Sequence, residues 1–277
     1  MRRCCSCGVG LLDPLKAVEY TEQSYAPFIT PPDLPWILRP FVRDGRSFSS
    51  EWRYRKQVRA ISRLAPQPLG SRLKLLDVGC GTGEFIRTAV ETGVEAWGVE
   101  ASPYAVQHCN RHHPCPVVLM ERLSDFPVDF DVVTLWHVLE HTDNPAAFLE
   151  NAVAHLRVGG LAVIEVPNWK AWPSRFWKAR WRHIRRDHLF YFTPSALCDL
   201  LLRTGLRPVR VCYTGSLGMT PYLNKVTVWS GEVIKHWPPL WPIKVGYLNF
   251  LSATRLGDFI RVYAIRTTRD ENQKEGE

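Results

Sequence analysis

Leu75-Leu76-Asp77-Val78-Gly79-Cys80-Gly81-Thr82-Gly83-Glu84-Phe85 is an apolar run that ends in a glycine-rich turn and opens into an amphipathic segment. The pattern predicts a buried strand, a tight turn and the start of a helix. Glycine accepts positive φ and lets a ligand approach the backbone closely. The acid, Asp77, lies inside the strand, which gives acid-x-Gly-x-Gly-x-Gly. A dinucleotide-binding turn needs G-x-G-x-x-G; counted from Gly79 and Gly81, the third glycine position falls on Glu84, so that reading fails. The Lys-Ser/Thr pair of a phosphate-binding P-loop is also missing.

Working outward, short apolar runs at 75–78, 96–99, 117–120, 132–136 and 161–166 alternate with helical stretches at 84–91, 103–111 and 145–156. A helix at 195–203 and strands at 206–213 and 259–265 follow. Such alternation predicts βαβ units and a mostly parallel sheet with helices on both faces. A helix at 49–64 precedes the core, capped by Ser49 or Ser50 and closed by Pro66, Pro68 and Gly70.

The chain has 277 residues, a net charge of +8 and 45% apolar residues, an ordinary globular composition. No apolar stretch follows Arg2-Arg3, so no export signal is read, and no run reaches the roughly 18 apolar residues of a spanning helix. Eight cysteines in such a chain read as reduced thiols or metal ligands rather than as a disulfide frame. These features together predict a cytoplasmic protein.

A second anchor is Asp129-Phe130-Asp131-Val132-Val133-Thr134-Leu135-Trp136-His137-Val138-Leu139-Glu140-His141, followed by Asn144-Pro145, Leu156-Arg157-Val158-Gly159-Gly160-Leu161 and Val166-Pro167-Asn168. With the glycine turn and the strand end Val99-Glu100, these segments resemble the class I S-adenosylmethionine-dependent methyltransferases. The likeness is to the small-molecule branch, which includes ubiquinone-pathway O-methyltransferases and enzymes that modify sugars and natural products. It implies a Rossmann-like, mostly parallel seven-stranded sheet, an N-terminal extension, a lid after strand five, and S-adenosyl-L-methionine as cofactor. By the same resemblance Gly79, Cys80, Gly81 and Gly83 border the methionine part, and Asp77 organises the loop and its contacts with the amino group. Glu100, with Ala101 beside it, accepts hydrogen bonds from the ribose hydroxyls; a carboxylate is a bidentate acceptor. Glu121 is favoured over Leu123 and Asp125 for the adenine contact. His137, just past strand four, contacts the cofactor or serves as a base.

The resemblance divides the chain into 1–48, an extension; 49–70, helix and linker; 71–168, the cofactor-binding core; 169–192, a substrate lid; and 193–277, the rest of the sheet with an aromatic insert. In the lid, Trp169, Trp172, Phe176, Trp177 and Trp181 alternate with Lys170, Arg175, Lys178, Arg180, Arg182, Arg185 and Arg186. These side chains suit a phosphate-bearing or glycan-like acceptor, such as a nucleotide-linked sugar or a lipid-linked glycan. His188 is the second candidate base, and Thr193 is expected to cap a helix with Pro194 at its first position.

The expected partner is therefore a small or carrier-linked molecule rather than nucleic acid, with peripheral membrane contact through 237–250. The rival functions are an RNA methyltransferase, prompted by the charge, and a non-catalytic cofactor-binding scaffold. An (N/D/S)-P-P-(Y/F) motif is absent after strand four. Cys4-x-x-Cys7-Gly8 resembles one knuckle of a zinc ribbon, whose first knuckle is missing, so no complete metal site is read. His108, Cys109, His112, His113 and Cys115 are read as a solvated helix end.

Overall fold

The computed structural model describes residues 2–4, 8–11, 42–43, 46–66, 72–126, 129–177, 181, 183–215, 246, 249–250 and 253–268. Two short hairpins lead in: β1 (Arg2–Arg3) with β2 (Gly10–Leu11), and β3 (Val42–Arg43) with β4 (Arg46–Ser47). The helix α1 spans Phe48–Leu64. Ser49 and Ser50 thus lie inside its first turn rather than ahead of it.

A seven-stranded sheet then forms from β5 (Lys74–Val78), β6 (Glu95–Glu100), β7 (Val117–Leu119), β8 (Phe130–Trp136), β9 (Leu156–Pro167), β11 (Leu206–Thr214) and β12 (Phe259–Arg266). Its order is β7-β6-β5-β8-β9-β12-β11. The first five strands pair in parallel; β12 slots antiparallel between β9 and β11. This is the α/β sheet that the alternating pattern predicts. The strand expected at 161–166 begins earlier, at Leu156, and helix α4 (Pro145–Ala154) correspondingly stops two residues short. The cause is Leu156 itself, fully buried in the sheet. Met120 leaves the third strand for a 3₁₀ turn over Met120–Asp125.

Parallel strands covered on both faces read as continuous apolar runs. Alternate residues of those runs feed two cores. Leu76, Val133, Leu135, Ala162 and Ile164 pack with Leu149 and Val153 of α4 and with Leu197 and Leu201 of α6 (Pro194–Arg203). Leu75, Val132, Leu161 and Val163 pack with Val58 and Ile61 of α1, with Phe85 and Ile86 of α2 (Glu84–Glu91), and with Cys109 of α3 (Pro103–His112). Side-chain caps start three helices: Ser102 accepts from the Ala105 N–H, Asn144 from Ala147 and Thr193 from Ala196, each with a proline at the start of the helix. The chain runs from β5 outward to β7 and then returns to β8 on the other side of β5. A crevice at the carboxyl ends of β5 and β8 follows from that reversal.

After β9 the chain makes α5 (Trp172–Trp177) and β10 (Phe190–Tyr191). Strand β10 pairs with β2, so the N-terminal hairpin and the segment after β9 share a three-stranded sheet. No helix among the described residues is long and apolar enough to cross a membrane. The segment 237–250 lies outside the described residues except for 246, 249 and 250, as do 178–180 and 182.

Candidate active site

The turn after β5 is wound by three left-handed glycines, with φ of +76° at Gly79, +55° at Gly81 and +78° at Gly83. A Cβ on Gly79 would come within 2.5 Å of Val138 Cγ2, and one on Gly83 within 2.7 Å of His113 Cδ2. One on Gly81 would meet nothing within 4 Å. The turn is pinned from behind. The Gly79 and Cys80 N–H groups donate to the Val99 carbonyl at 2.8 and 3.0 Å. The Glu100 carboxylate accepts from the Gly81 N–H at 2.8 Å and from the Ser102 N–H at 3.0 Å. Cys109 Sγ reaches the Gly81 carbonyl at 3.4 Å, and His113 Nε2 the Thr82 carbonyl at 2.8 Å. Cys109 is buried and His113 half-buried, which corrects the reading of this cluster as a solvated helix end: two of its members clamp the glycine turn. The Cys80 thiol packs where a Cβ on Gly98 would lie 2.7 Å from it, and Cys80 also borders the cavity beside the turn. Hydrogen bonding to Cys109 and burial both push that thiol's pKa well up.

The open side of the turn faces a cavity of about 230 Å³. Its walls are the glycine turn with Asp77, the end of β8 with Trp136 and His137, Glu165 of β9, and Arg53, Tyr54 and Gln57 of α1. Asp77 is buried and accepts a 2.6 Å bond from Thr134 Oγ1. Burial pushes its pKa up to about 7, against the Thr134 bond and helped by the Glu100 charge. Gln57 Oε1 and Trp136 Nε1 are buried polar atoms with no hydrogen-bond partner among the described residues, and such atoms carry a desolvation cost until a ligand meets them. A backbone with room for a ligand at Gly81, a buried acid and two unmet polar atoms suit the S-adenosylmethionine that the resemblance implies.

His137 takes φ +57°, rare for a residue with a side chain. Its N–H donates to the Glu165 carbonyl at 2.8 Å. Nε2 lies 3.2 Å from Glu165 Oε1, and Nδ1 lies 3.6 Å from Glu140 Oε1. Burial opposes the ring's charge, but Glu140 and Glu165 outweigh it and push its pKa up to about 9. His137 lines the cavity, and a ring held charged by two carboxylates suits the cofactor contact better than the role of base. Glu165 is itself held by Arg261 at 2.6 Å and by Thr214 Oγ1 at 3.2 Å. Although burial raises it, the Arg261 charge keeps this carboxyl well below its ordinary range.

His188 lines neither this cavity nor the one beside it. Burial drives its pKa down to about 4. Its ring packs edge-on against His141 at 4.7 Å. Glu140, His141 and His188 bring one ligand atom each within 4.8 Å of one another, a metal-compatible trio that the sequence reading passed over. Glu121 and Ala101 are exposed and line neither cavity. Glu100 does not line the cavity directly but lies behind the glycine turn. Cys4 closes the first hairpin, its N–H donating to the Val9 carbonyl at 2.8 Å, while Cys7 lies outside the described residues. The residues that sequence reasoning missed are Arg53, Tyr54, Gln57, Trp136 and Glu165. Their only signal was the helical spacing of 53, 54 and 57 beside a polar break in an apolar strand.

A methyltransferase-domain family matches residues 49–211. Among curated proteins, a ubiquinone biosynthesis O-methyltransferase of Cereibacter sphaeroides is 30% identical over 161 residues, covering 52% of this chain and 64% of its own. A tRNA U34 carboxymethyltransferase of Idiomarina loihiensis is 31% identical over 191 residues, covering 64% and 58%. The chain thus spans less than two thirds of the length of these relatives. Among solved structures, an Archaeoglobus fulgidus SAM-dependent methyltransferase superposes with a TM-score of 0.52 over 78% of this chain and 94% of its own, at 22% identity, a likeness of fold.

Proposed function

Because the chain belongs to the S-adenosylmethionine-dependent methyltransferase family, we propose that it transfers the cofactor's methyl group to a small or carrier-linked acceptor: a sugar, glycolipid or natural product. The observation that carries this reading is the opening of the glycine turn, at Gly81, onto a cavity walled by the buried Asp77. Bound there, the cofactor supplies a methyl carbon on a sulfonium. The acceptor's lone pair bonds to that carbon as the carbon–sulfur bond breaks, and the acceptor proton passes to water.

The chain's own part is chiefly alignment. Asp77 holds the amino-acid end beside the open face of the glycine turn, and Glu100, with two lone pairs left beyond its bonds to Gly81 and Ser102, holds the ribose. Neither His137, charged between two carboxylates, nor Glu165, bound to Arg261, takes the acceptor proton at neutral pH. The reading is therefore a transfer that needs no protein base.

The test is calorimetric titration with S-adenosylmethionine, followed by a radiolabelled methyl-transfer screen that begins with nucleotide sugars. Micromolar binding and transfer to such an acceptor support the reading; a folded chain that binds no S-adenosylmethionine defeats it. An RNA acceptor is the second reading, favoured by the similarity to the tRNA-modifying relative. Retention on RNA with a steep salt slope would select it.

A further inference from the structure

A second cavity, of about 240 Å³, adjoins the first, and the two share Arg53, Gln57 and Glu165. Its floor is a set of cross-strand pairs on one face of the sheet: Arg210 with Tyr263, Cys212 with Arg261 and Thr214 with Phe259. Its roof is the α1 stripe of Trp52, Lys56 and Ala60, one turn apart each.

The charge here is one-sided. Arg53, Lys56, Arg210 and Arg261 line the cavity against the single carboxylate of Glu165, a surplus of three positive charges. Arg261 occupies that carboxylate with contacts of 2.6 and 2.8 Å, and its guanidinium also lies over the Trp136 ring at 5.0 Å. Lys56 sits over the Trp52 ring at 5.0 Å. Among the described residues, no carboxylate pairs with Lys56 or Arg210, whereas the Arg53 charge acts on Glu165 and its guanidinium donates to the Tyr54 hydroxyl at 3.1 Å. At the opposite, buried end, where the two cavities meet, Gln57 is 4% exposed and its Oε1 has no hydrogen-bond partner among the described residues. One end of the cavity thus asks for an anion. The other asks for a hydrogen-bond donor beside the place where the cofactor is proposed to lie.

We propose that this second cavity is the acceptor site, and that it takes a molecule bearing a phosphoryl group. Lys56 and Arg210 hold the phosphoryl oxygens at the mouth, and Gln57 accepts from a hydroxyl or amine at the junction, beside Arg53. The inference rests on the methyltransferase reading, but it moves acceptor recognition from the lid to α1, β11 and β12. Tyr263, paired with Arg210 across the strands, lies alongside. Guanidinium and ammonium groups together suit a compact, multiply charged oxyanion.

The experiment titrates inorganic pyrophosphate into the chain saturated with S-adenosylhomocysteine. Lys56→Ala/Arg210→Ala is compared with Arg203→Ala/Arg207→Ala, which removes the same charge from exposed positions outside the cavity. Pyrophosphate is expected to bind the native chain and the control alike, and to weaken by at least about tenfold in the cavity variant. S-adenosylhomocysteine affinity is expected to stay unchanged in all three. Absent pyrophosphate binding, or an equal loss in both variants, overturns the inference. So does benzoate binding in preference to pyrophosphate. Vesicles of phosphatidylglycerol separate the two sources of such a group: binding lost in the cavity variant assigns it to a lipid carrier, and no vesicle binding to a soluble molecule, the inference standing in either case. Failure to bind S-adenosylhomocysteine at all would instead strike at the methyltransferase reading.

Discussion

His137 and Glu165 are joined twice: the backbone N–H of the histidine donates to the backbone carbonyl of the glutamate at 2.8 Å, and their side chains meet at 3.2 Å. The end of β8 is thereby tied to the neighbouring strand β9 where the two cavities meet. The left-handed φ of His137 is the conformation that allows both contacts.

That tie titrates. With the folded pKa of His137 raised to about 9 from 6.5, its stabilisation is complete below about pH 6.5 and is lost as pH rises through 9. The ring is partly exposed, so solvent screening trims the effect, to about 1 kcal/mol or a few degrees. Thermal melts from pH 6 to 10 should show the native chain losing this increment while His137→Gln does not. Parallel curves for the two proteins would refute the assignment.

Asp77 works in the opposite sense. Its carboxyl, raised to about 7 by burial, must give up its proton to face a cationic amino group. S-adenosylhomocysteine affinity should therefore climb with pH by up to about tenfold per unit below 7 and level off above it. Asp77→Asn should bind more weakly and with no such slope. A flat profile for the native chain between pH 5.5 and 8.5 would remove Asp77 from the amino-group contact.

The glycines of the turn should separate stability from binding. Gly79→Ala drives a Cβ to 2.5 Å from Val138 Cγ2 and is expected to lower the melting temperature. Gly81→Ala meets open space, so it should cost only about the 1 kcal/mol of the left-handed backbone while blocking the ligand. Melting curves paired with calorimetry decide this. Equal effects on both readouts for both variants would contradict it.

Glu100→Ala removes the acceptor for the Gly81 and Ser102 N–H groups. Both the turn and the ribose contact proposed for Glu100 should suffer, with cofactor affinity falling by about 10- to 100-fold. Glu100→Gln, which keeps one acceptor oxygen, should fall between. Unchanged affinity in the alanine variant would dismiss Glu100 as the ribose anchor.

The sheet was legible because its central strands are buried on both faces and leave apolar runs, as in 161–164, and because Ser102, Asn144 and Thr193 announce their helices with a following proline. The glycine turn was legible for its spacing. What sequence could not show is the opposite wall of the cavity. Gln57 and Glu165 are 108 positions apart, and nothing local in an amphipathic helix or a buried strand marks the one side chain that points at a ligand. The protonation of His137 and His188 was illegible for a related reason. A histidine's charge is set by the carboxylates folded against it, and Glu165 reaches His137 only through the pairing of β8 with β9.

The pairing of β2 with β10 joins Leu11 to Phe190, 179 residues further along the chain. During synthesis at about 5–20 residues per second, the first hairpin therefore waits roughly ten to forty seconds for its partner to emerge. The glycine turn and every strand through β9 are made in that interval. The N-terminal hairpin is thus born first and docked late, and a nascent chain halted before residue 190 would hold most of the sheet with that edge still unpaired.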